Sequence, residues 1–503
     1  MEATSVGLFA RSRRRWTLAV LAGVIVGSVF VLPRSSPAGL PPPPPPIEEP
    51  EDPKDPKDPK DPEARSPIVF RAAVTYPMPG PNDVTMADLD GDGALDVAVR
   101  SLGSVAVLFG RGDGTLEPPK LFPIGPDAER DWCQVLAADV NLDGRLDLVV
   151  TVGADDCLAV RLNLGDREFA EPARYPVGRL PNGVVADDFN GDGWPDVAVT
   201  NHRSGDFCIL LNQGDGSFAP AVSYRCGNLP SRITSGDFNA DGRADLAIAN
   251  YQGGVLVCLG ARNGGFFYSP QTGVGSHASQ VVSADFNLDR LEDLATAETF
   301  GNSVSILTNV GYGIFRADAY PGGTYPHVMD VADFDGDGYP DLAVPNNESG
   351  QFVVLWNLGG TLAAPAVFSS AGQDTRRLAA GDLNGDGLPD VVTSNAGSEN
   401  LSVLLNVTPI PAVASITLQR RAVRGGQTVA GTVRLRSPAR RGGAVVRLAG
   451  DSNLVVPAAV RIRPGRKVGT FRVGTVQTPK PVRLPITARS GRSEKSAMLL
   501  LRP

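Results

Sequence analysis

A nine-residue acidic loop that recurs seven times is the feature that most constrains this chain. The loops begin at Asp88, Asp139, Asp188, Asp237, Asp285, Asp333 and Asp382. Consecutive loops therefore start 51, 49, 49, 48, 48 and 49 residues apart. A period this regular indicates one supersecondary unit stacked seven times, so the repeat governs the fold.

Each loop carries oxygen-bearing side chains at positions 1, 3, 5 and 9, which in the first copy are Asp88, Asp90, Asp92 and Asp96. Hard divalent cations prefer about six to eight oxygen ligands, and an Asp/Asn-rich loop with a sharp Gly turn at position 6 can wrap around one Ca²⁺. The side chain at position 7 varies, as expected if only its backbone carbonyl is a ligand. We therefore predict up to seven Ca²⁺ sites.

The predicted metal ligands are the Asp and Asn side chains at these four positions of every loop. Loop by loop they are Asp88, Asp90, Asp92, Asp96; Asp139, Asn141, Asp143, Asp147; Asp188, Asn190, Asp192, Asp196; Asp237, Asn239, Asp241, Asp245; Asp285, Asn287, Asp289, Asp293; Asp333, Asp335, Asp337, Asp341; and Asp382, Asn384, Asp386, Asp390. The alternative is that the loops are only hairpin turns, but seven copies in phase favour metal binding.

Loop five departs from the pattern, because Arg290 stands where the other loops have Gly. A residue with a side chain resists the left-handed turn, and a guanidinium competes with a cation. We predict a weak or empty site in the loop that begins at Asp285. In the other loops, three or four carboxylates repel one another without a cation, so metal binding is expected to stabilise the fold.

Four predicted strands surround each loop. In the third repeat they cover residues 182–188, 197–200 and 209–212, and the fourth starts at Phe218. This predicts an all-β fold, with a seven-bladed β-propeller over residues 67–408. After the last loop the fourth strand is missing, but residues 69–76 are similar to the fourth strands at 169–175 and 218–224. We predict that this N-terminal segment completes the last blade and removes its open edge.

The repeated pattern of an Ala-Asp-Phe-Asn-Gly-Asp-Gly-type loop, a Leu-Leu-Asn strand end and a Gly-Asp-Gly turn resembles the FG-GAP/VCBS repeat family. The blades of this family are similar to those of the integrin α-subunit propeller. The resemblance covers roughly residues 67–408. It implies Ca²⁺ in the hairpin between the first and second strands of a blade, and partners that often use the opposite face.

The N-terminal flank has the pattern of an export signal. Arg11 and Arg13–Arg15 precede an apolar run over residues 16–32, so residues 1–35 are predicted to form a signal peptide or a signal-anchor helix. Residues 36–66 are a Pro-rich and acidic linker, which predicts an extended spacer. The expected location is the cell envelope or the extracellular space, with the apolar helix either cleaved or retained as the membrane anchor.

The C-terminal flank, residues 412–503, is strongly basic. It has 19 Lys and Arg against the two acids Asp451 and Glu494, a net charge of +17 that leaves −25 on the rest of a chain with a total of −8. Short alternating runs predict a small β-sandwich that resembles bacterial Ig-like domains. Three uses of its charge remain open: binding an anionic polysaccharide or lipid, docking on the acidic propeller, or simple solvation.

Few residues point to catalysis or to a disulfide framework. The chain has three His and five Cys, and of the Cys only Cys133 and Cys157 are candidates to pair; free buried thiols are the alternative. The Arg111-Gly112-Asp113 tripeptide falls at an ordinary turn of its repeat. No nucleophile elbow, zinc-protease motif or phosphate loop occurs in the sequence.

The predicted function is a non-enzymatic, calcium-binding surface or exported protein whose propeller serves binding or adhesion. Its partner is an unknown surface ligand, either glycan or protein, together with the membrane through the N-terminal helix; no nucleic acid is expected. One alternative is an envelope-associated carbohydrate-active enzyme with its site in the propeller channel. The other is a passive structural protein of the envelope.

Overall fold

The computed structural model describes residues 68–125, 133–262, 264–269, 277–347, 349–439, 443–491 and 493–503. The predicted signal or anchor helix (1–35) and the predicted linker (36–66) lie outside these ranges. Within them the chain is all-β, as predicted, and its short 3-10 turns are Gly153–Asp155, Thr299–Gly301 and Ala396–Ser398. No helix in the described ranges has the length and apolar character needed to span a bilayer.

The repeated region forms seven four-stranded antiparallel sheets, counted over the described residues. The first strand, β1 (Val74–Pro77), belongs to the last sheet. Sheet 1 contains β2 (Pro81–Ala87), β3 (Asp96–Ser101), β4 (Ser104–Leu108) and β5 (Lys120–Pro123). Sheet 2 contains β6 (Val135–Ala138), β7 (Asp147–Val152), β8 (Cys157–Arg161) and β11 (Ala173–Pro176), with a side hairpin of β9 (Asn163–Gly165) and β10 (Glu168–Phe169). Sheet 3 contains β12 (Pro181–Asp187), β13 (Asp196–Asn201), β14 (Asp206–Leu210) and β15 (Val222–Arg225).

The remaining four sheets repeat this order. Sheet 4 contains β16 (Pro230–Gly236), β17 (Asp245–Asn250), β18 (Gly254–Gly260) and β19 (Phe266–Tyr268), and sheet 5 contains β20 (Ala278–Ala284), β21 (Asp293–Glu298), β22 (Ser303–Asn309) and β23 (Phe315–Pro321). Sheet 6 contains β24 (Asp330–Ala332), β25 (Asp341–Asn346), β26 (Gln351–Leu355) and β27 (Ala366–Ser369). Sheet 7 contains β28 (Thr375–Gly381), β29 (Asp390–Asn395) and β30 (Asn400–Leu404), with β1 as the fourth strand. The first strand of sheet 7 contacts that of sheet 1, so the two ends of the series meet.

The N-terminal segment completes the last sheet, which confirms the prediction from residues 69–76. β1 pairs antiparallel with β30, in a register that places Val74 opposite Val403. The strand is shorter than predicted, because the residues before it anchor the core instead. The Phe70 ring lies 5.6 Å from that of Phe352 and 5.0 Å from that of Phe368, both in edge-on contacts.

The fourth strand of sheet 3 also starts later than predicted. Phe218 forms an isolated bridge with Asn212, and its ring packs edge-on against Tyr175 of the preceding sheet at 5.5 Å. The regular strand β15 begins four residues later, at Val222. The aromatic residue that marks the fourth strand in the sequence therefore serves as an anchor between two sheets.

Apolar clusters between neighbouring sheets form the core. One cluster joins sheets 1 and 2, another joins sheets 2 and 3, and the series continues to sheet 7. The residue at position 2 of each loop is apolar and is buried in the described structure: Leu89, Val140, Phe189, Phe238, Phe286, Phe334 and Leu383. All five Cys are buried free thiols, so Cys133 and Cys157 are not paired.

The basic C-terminal region folds into two sheets around one apolar core. The strands are β31 (Val413–Leu418), β32 (Ala422–Arg424), β33 (Thr428–Leu435), β34 (Ala444–Gly450), β35 (Leu454–Val455), β36 (Ala459–Ile462), β37 (Val468–Thr475), β38 (Val482–Ser490) and β39 (Ser493–Arg502). One sheet has the order β31-β33-β37-β35 and the other β32-β39-β38-β34-β36. We call this unit the C-terminal sandwich; its likeness to Ig-like domains stays a prediction.

Candidate metal centres

All seven acidic loops connect the first strand of a sheet to the second. In sheet 1, β2 ends at Ala87 and Asp88 follows, while Asp96 at position 9 is the first residue of β3. The same holds in the other sheets, where the Asp at position 9 opens the second strand each time. The loops therefore lie at one end of the sheets, which we call the loop end.

The carboxylate at position 1 shapes the loop by accepting backbone hydrogen bonds. In every loop its Oδ2 accepts the N–H of the residue at position 6, at 2.6 Å for Gly387 and 2.9 Å for Gly93. The five other loops have distances between these two. Loop five keeps this bond, because Arg290 adopts a φ of +78° and its N–H donates to Asp285 at 2.8 Å.

The carboxylate at position 9 is buried and holds two parts of the sheet together. In loop one, Oδ2 of Asp96 accepts the N–H of Leu89 at 2.8 Å and Oδ1 accepts the N–H of Gly110 at 2.7 Å. Burial, with smaller contributions from the nearby Asp90 and Asp88, raises the pKa of Asp96 to about 7. Ionising such a buried carboxylate costs free energy, and a bound cation would offset that cost.

The same pattern recurs at position 9 of the other loops. Burial is the main cause in each, and the pKa rises to about 7 in Asp147, Asp196 and Asp245, to about 6 in Asp293 and to about 8 in Asp390. In loop six, burial raises the pKa of Asp341 well above its ordinary value. The buried carboxylate is therefore a property of the repeat.

Two loops gather three carboxylates each in the described part of the chain. The ligand oxygens of Asp88, Asp90 and Asp96 all lie within 4.8 Å of one another, and the same is true of Asp333, Asp335 and Asp341. These are the two loops with Asp at position 3. The carboxylate at position 5 folds back on the loop, as in Asp92, whose Oδ1 accepts the N–H of Ala94 at 2.8 Å.

In loops two to five an amide replaces the acid at position 3. The amide nitrogen of Asn190 donates to Oδ2 of Asp192 at 2.9 Å, and its oxygen accepts the N–H of Asp192 at 2.8 Å. The equivalent bonds occur around Asn141, Asn239 and Asn287. In loop seven, Asn384 donates to Asp390 at 3.1 Å. The predicted ligands all lie in the loops, but positions 3 and 5 bond to each other.

Arginines next to three of the loops were not anticipated. The guanidiniums of Arg145 and Arg243, at position 7, contact the carboxylates of Asp143 and Asp241. Nε of Arg167, from the next sheet, lies 2.7 Å from Oδ2 of Asp90 in loop one. The side chain at position 7 is therefore positively charged in loops two and four, where it competes with a cation for a predicted carboxylate ligand.

The Asn that ends the third strand is a second feature whose role the sequence did not reveal. The side-chain nitrogen of Asn212 donates to the carbonyl of Val140, in the loop of the preceding sheet, at 2.7 Å. Its backbone N–H donates to Asp196, the position 9 carboxylate of its own sheet, at 2.8 Å. Four other Asn repeat the link to the preceding loop: Asn163, Asn309, Asn357 and Asn406. Loops one, two, four, five and six are thereby each fixed to the next sheet, and the recurring Asn was the sequence signal.

The C-terminal sandwich covers loops six and seven. The N–H of Val445 donates to the carbonyl of Gly336 at 3.1 Å, and the guanidinium of Arg461 lies 4.2 Å from the ring centroid of Tyr339. Arg489 donates to the carbonyl of Gly385 in loop seven. Asp337 is consequently only 3% exposed, whereas its counterpart in loop one is exposed. Of the three uses foreseen for the basic region, the structure shows contact with the acidic repeats.

The donor set of the loops suits a hard cation. Carboxylate, amide and backbone oxygens are the ligands that Ca²⁺ and Mg²⁺ prefer, whereas zinc and copper sites use His and Cys. The three-carboxylate clusters of loops one and six provide the strongest fit. In loops one, two and four an Arg already partly neutralises one of the carboxylates.

The fold and its loops define a class of protein made of β-propeller-like repeats with an acidic hairpin in each unit. The FG-GAP-like repeat matches the chain over residues 88–150, 139–199, 188–248, 237–296, 285–344 and 333–393. The chain belongs to this family.

Comparison with known proteins adds little beyond the family. No curated protein matches the chain. The crystal structure of BBS1N in complex with ARL6DN is similar with 15% identity and a TM-score of 0.46, over 67% of this chain and 97% of that one. A functionally unknown protein from Desulfotomaculum acetoxidans has 15% identity and a TM-score of 0.41, over 58% of this chain and 86% of that one.

Proposed function

We propose that this protein is a calcium-stabilised, seven-bladed β-propeller that is exported and used for binding or adhesion. The seven sheets would be its blades, and β1 would close the ring. The observation that carries the calcium part is the shared loop geometry, in which a buried position 9 carboxylate stands beside a position 1 carboxylate in all seven loops. The membership of the FG-GAP-like family supports the binding part.

The metal would have a structural role. In loop six, Asp333, Asp335 and Asp341 would hold it, and in loop one Asp88, Asp90 and Asp96 would do so. A bound Ca²⁺ supplies positive charge that offsets the mutual repulsion of these carboxylates. The position 9 carboxylate also accepts backbone hydrogen bonds from its own loop and from the chain next to the strand that follows. These hydrogen bonds couple the loop to the sheet.

The export part of the proposal rests on the sequence of residues 1–66. The apolar segment would direct the chain to the membrane, and the Pro-rich linker would hold the propeller away from it. The ligand would be a surface glycan or protein, and the protein would act without catalysis.

Calcium titration tests the proposal. Thermal unfolding of the full chain after thorough chelation, followed by addition of CaCl₂, should show a melting temperature that rises with calcium concentration. NaCl at equal ionic strength is the control for screening of the carboxylates. An unchanged melting temperature over the whole titration would remove the metal from the proposal. A glycan and envelope-component binding screen, with and without calcium, tests the binding part.

A second candidate, a carbohydrate-active enzyme, is favoured by one observation. A cavity of about 730 Å³ contains His327 next to Arg377, with His327 Nδ1 3.3 Å from Arg377 Nη1. Against it, Asp374 is the one carboxylate among the described residues that line the cavity, whereas most glycosidases use a pair. New reducing ends after incubation with polysaccharides would favour the enzyme.

A further inference from the structure

The cavity opens at the end of the sheets opposite the loop end. Tyr325 and His327 precede the first strand of sheet 6, and Arg376 and Arg377 stand at the start of the first strand of sheet 7. Asn347 lies in the turn between the second and third strands of sheet 6. The acidic loops join the other ends of the same first strands. We call this feature the arginine cavity.

Arg377 lines the arginine cavity, and with Asp83 and Arg232 behind it forms a buried cluster, the floor, that has more positive than negative charge. Nε of Arg377 lies 3.1 Å from Oδ1 of Asp83, and Nη2 of Arg232 lies 3.0 Å from the same oxygen. All three side chains are at most 6% exposed. Two guanidiniums therefore share one carboxylate in a region of low dielectric constant, where an anion would be stabilised.

The rim of the cavity carries a third guanidinium that solvent can reach. Nη2 of Arg376 lies 2.8 Å from Oδ2 of Asp374, and the side chain of Arg376 is 33% exposed. The positive charges of Arg232, Arg376 and Arg377 thus face the negative charges of Asp83 and Asp374, a net of +1. A planar guanidinium at a partly dry rim suits the two oxygens of a ligand carboxylate.

An aromatic surface continues from the rim. Tyr325, which lines the cavity, packs edge-on against Phe300 at 5.5 Å, and Phe300 packs edge-on against His277 at 4.9 Å and Tyr251 at 5.6 Å. The Phe300 side chain remains 52% exposed although it has these partners. We call these four residues the aromatic ledge. Its electron-rich ring faces suit the C–H faces of a sugar ring.

We propose that the arginine cavity binds a carboxylated sugar, such as a uronic acid unit of an acidic polysaccharide, with its carboxylate at Arg376 and Arg377 and its ring on the aromatic ledge. This deepens the proposed binding function and rests on it. A charged floor without an aromatic surface would suit any small anion. The two side by side favour a ligand that is both anionic and a sugar.

Calorimetry on the full chain in calcium buffer tests this assignment with three probes: trigalacturonate, the neutral galactotriose and potassium sulfate. Trigalacturonate is expected to bind, with an affinity that falls as NaCl rises, and galactotriose is not. Arg376→Ala should weaken trigalacturonate binding about tenfold, since it removes a charge-assisted hydrogen bond. Phe300→Ala should weaken it about fivefold by removing the stacking surface.

The matched control is Arg203→Ala, which removes an exposed Arg from sheet 3 at the same end of the sheets. It should leave the affinity unchanged. Thermal melting shows whether each variant is folded, and Arg376→Gln replaces Arg376→Ala if the latter unfolds. Equal binding of both trisaccharides, binding of sulfate alone, or no binding of any probe would overturn the assignment.

The outcomes separate this inference from the proposed function. If the glycan screen finds a ligand that Arg376→Ala and Phe300→Ala do not weaken, the binding function stands and the arginine cavity is not its site. If the screen finds no ligand and calcium has no effect on melting, the proposed function itself fails.

Discussion

At the scale of single residues, position 6 of the loops shows how much backbone strain the repeat tolerates. Arg290 takes the same left-handed conformation that Gly242 takes in loop four, with φ values of +78° and +83°. It also makes the same hydrogen bond to the position 1 carboxylate, at 2.8 Å against 2.9 Å. The loop hydrogen bonds therefore impose the conformation against the preference of the side chain.

Arg290→Gly should stabilise the protein. Removing the side chain relieves about 1 kcal/mol of backbone strain, so the free energy of unfolding without calcium should rise by about that amount. Urea denaturation after chelation measures it. The reciprocal control is Gly242→Arg, whose Cβ would meet nothing within 4 Å, so its cost is backbone strain alone. A destabilised Arg290→Gly would show that the guanidinium has a favourable partner.

Asp330 is a buried carboxylate outside the acidic loops. It is 5% exposed, and it accepts the N–H of Val331 at 2.8 Å and of Ala380 at 3.0 Å. Burial raises its pKa to about 8, so the folded protein holds a proton on Asp330 in a range where the unfolded chain has lost it. Its contribution to stability is complete below about pH 4 and is lost as the pH rises through about 8.

Asp330→Asn should reduce the loss of stability between pH 5 and pH 8. Asn resembles the protonated acid and does not ionise, so urea midpoints at saturating calcium should fall less with pH than in the wild type. Asp215→Asn, at an exposed turn, is the control and should leave the slope nearly unchanged. If wild type and Asp330→Asn have the same slope, Asp330 is not the group that titrates.

At the scale of strands and sheets, the N-terminal strand has an effect larger than its four residues suggest. β1 covers β30, which would otherwise present an unpaired edge. The segment before it places Phe70 among Phe334, Phe352 and Phe368 of sheet 6. One short stretch thus closes a sheet and fills the contact between two of them.

Deletion of residues 68–77 should lower the melting temperature by roughly 10 °C or more, because both the edge pairing and the Phe70 anchor are lost. Light scattering should show association through the exposed edge. Deletion of residues 41–50, ten residues of the Pro-rich linker, is the length-matched control and should change neither measurement. A monomeric protein with an unchanged melting temperature after the first deletion would contradict the closing role of β1.

At the scale of the whole molecule, the C-terminal sandwich makes the seven loops unequal. It contacts loops six and seven through Val445, Arg461 and Arg489, and it buries Asp337 and Asp386. The opposite charges of the two units favour this contact. The sequence repeats are thus similar in chemistry but different in access to solvent.

The double variant Arg461→Ala/Arg489→Ala should release calcium faster from two of the seven loops. The variant loses a cation–π contact and a charge-assisted hydrogen bond, which loosens the contact between the sandwich and loops six and seven. When a chelator is mixed with the calcium-loaded protein, we expect the rate constant of the slow phase of calcium release to rise about tenfold. Arg434→Ala/Arg472→Ala, at exposed positions of the same sandwich, is the control. Identical release kinetics in all three proteins would show that the sandwich does not limit exchange.

The sequence alone predicted the all-β fold, the repeat, the closing N-terminal segment and the placement of every loop. These features are local or periodic: nine residues determine the loop hydrogen bonds, and a constant period repeats them. The bounds of β1 and β15 differed from the prediction because Phe70 and Phe218 pack between sheets, and such contacts leave no mark on the strand pattern.

Only the tertiary structure decided that an Arg from the next sheet reaches loop one and that the sandwich covers loops six and seven. Arg167 reaches Asp90 across 77 positions of sequence, and Arg489 reaches Gly385 across 104. The arginine cavity combines residues from Asn82 to Gly397. Contacts of this range depend on how the sheets close on one another. A repeat with nearly the same spacing in every copy does not indicate which copies will contact the sandwich.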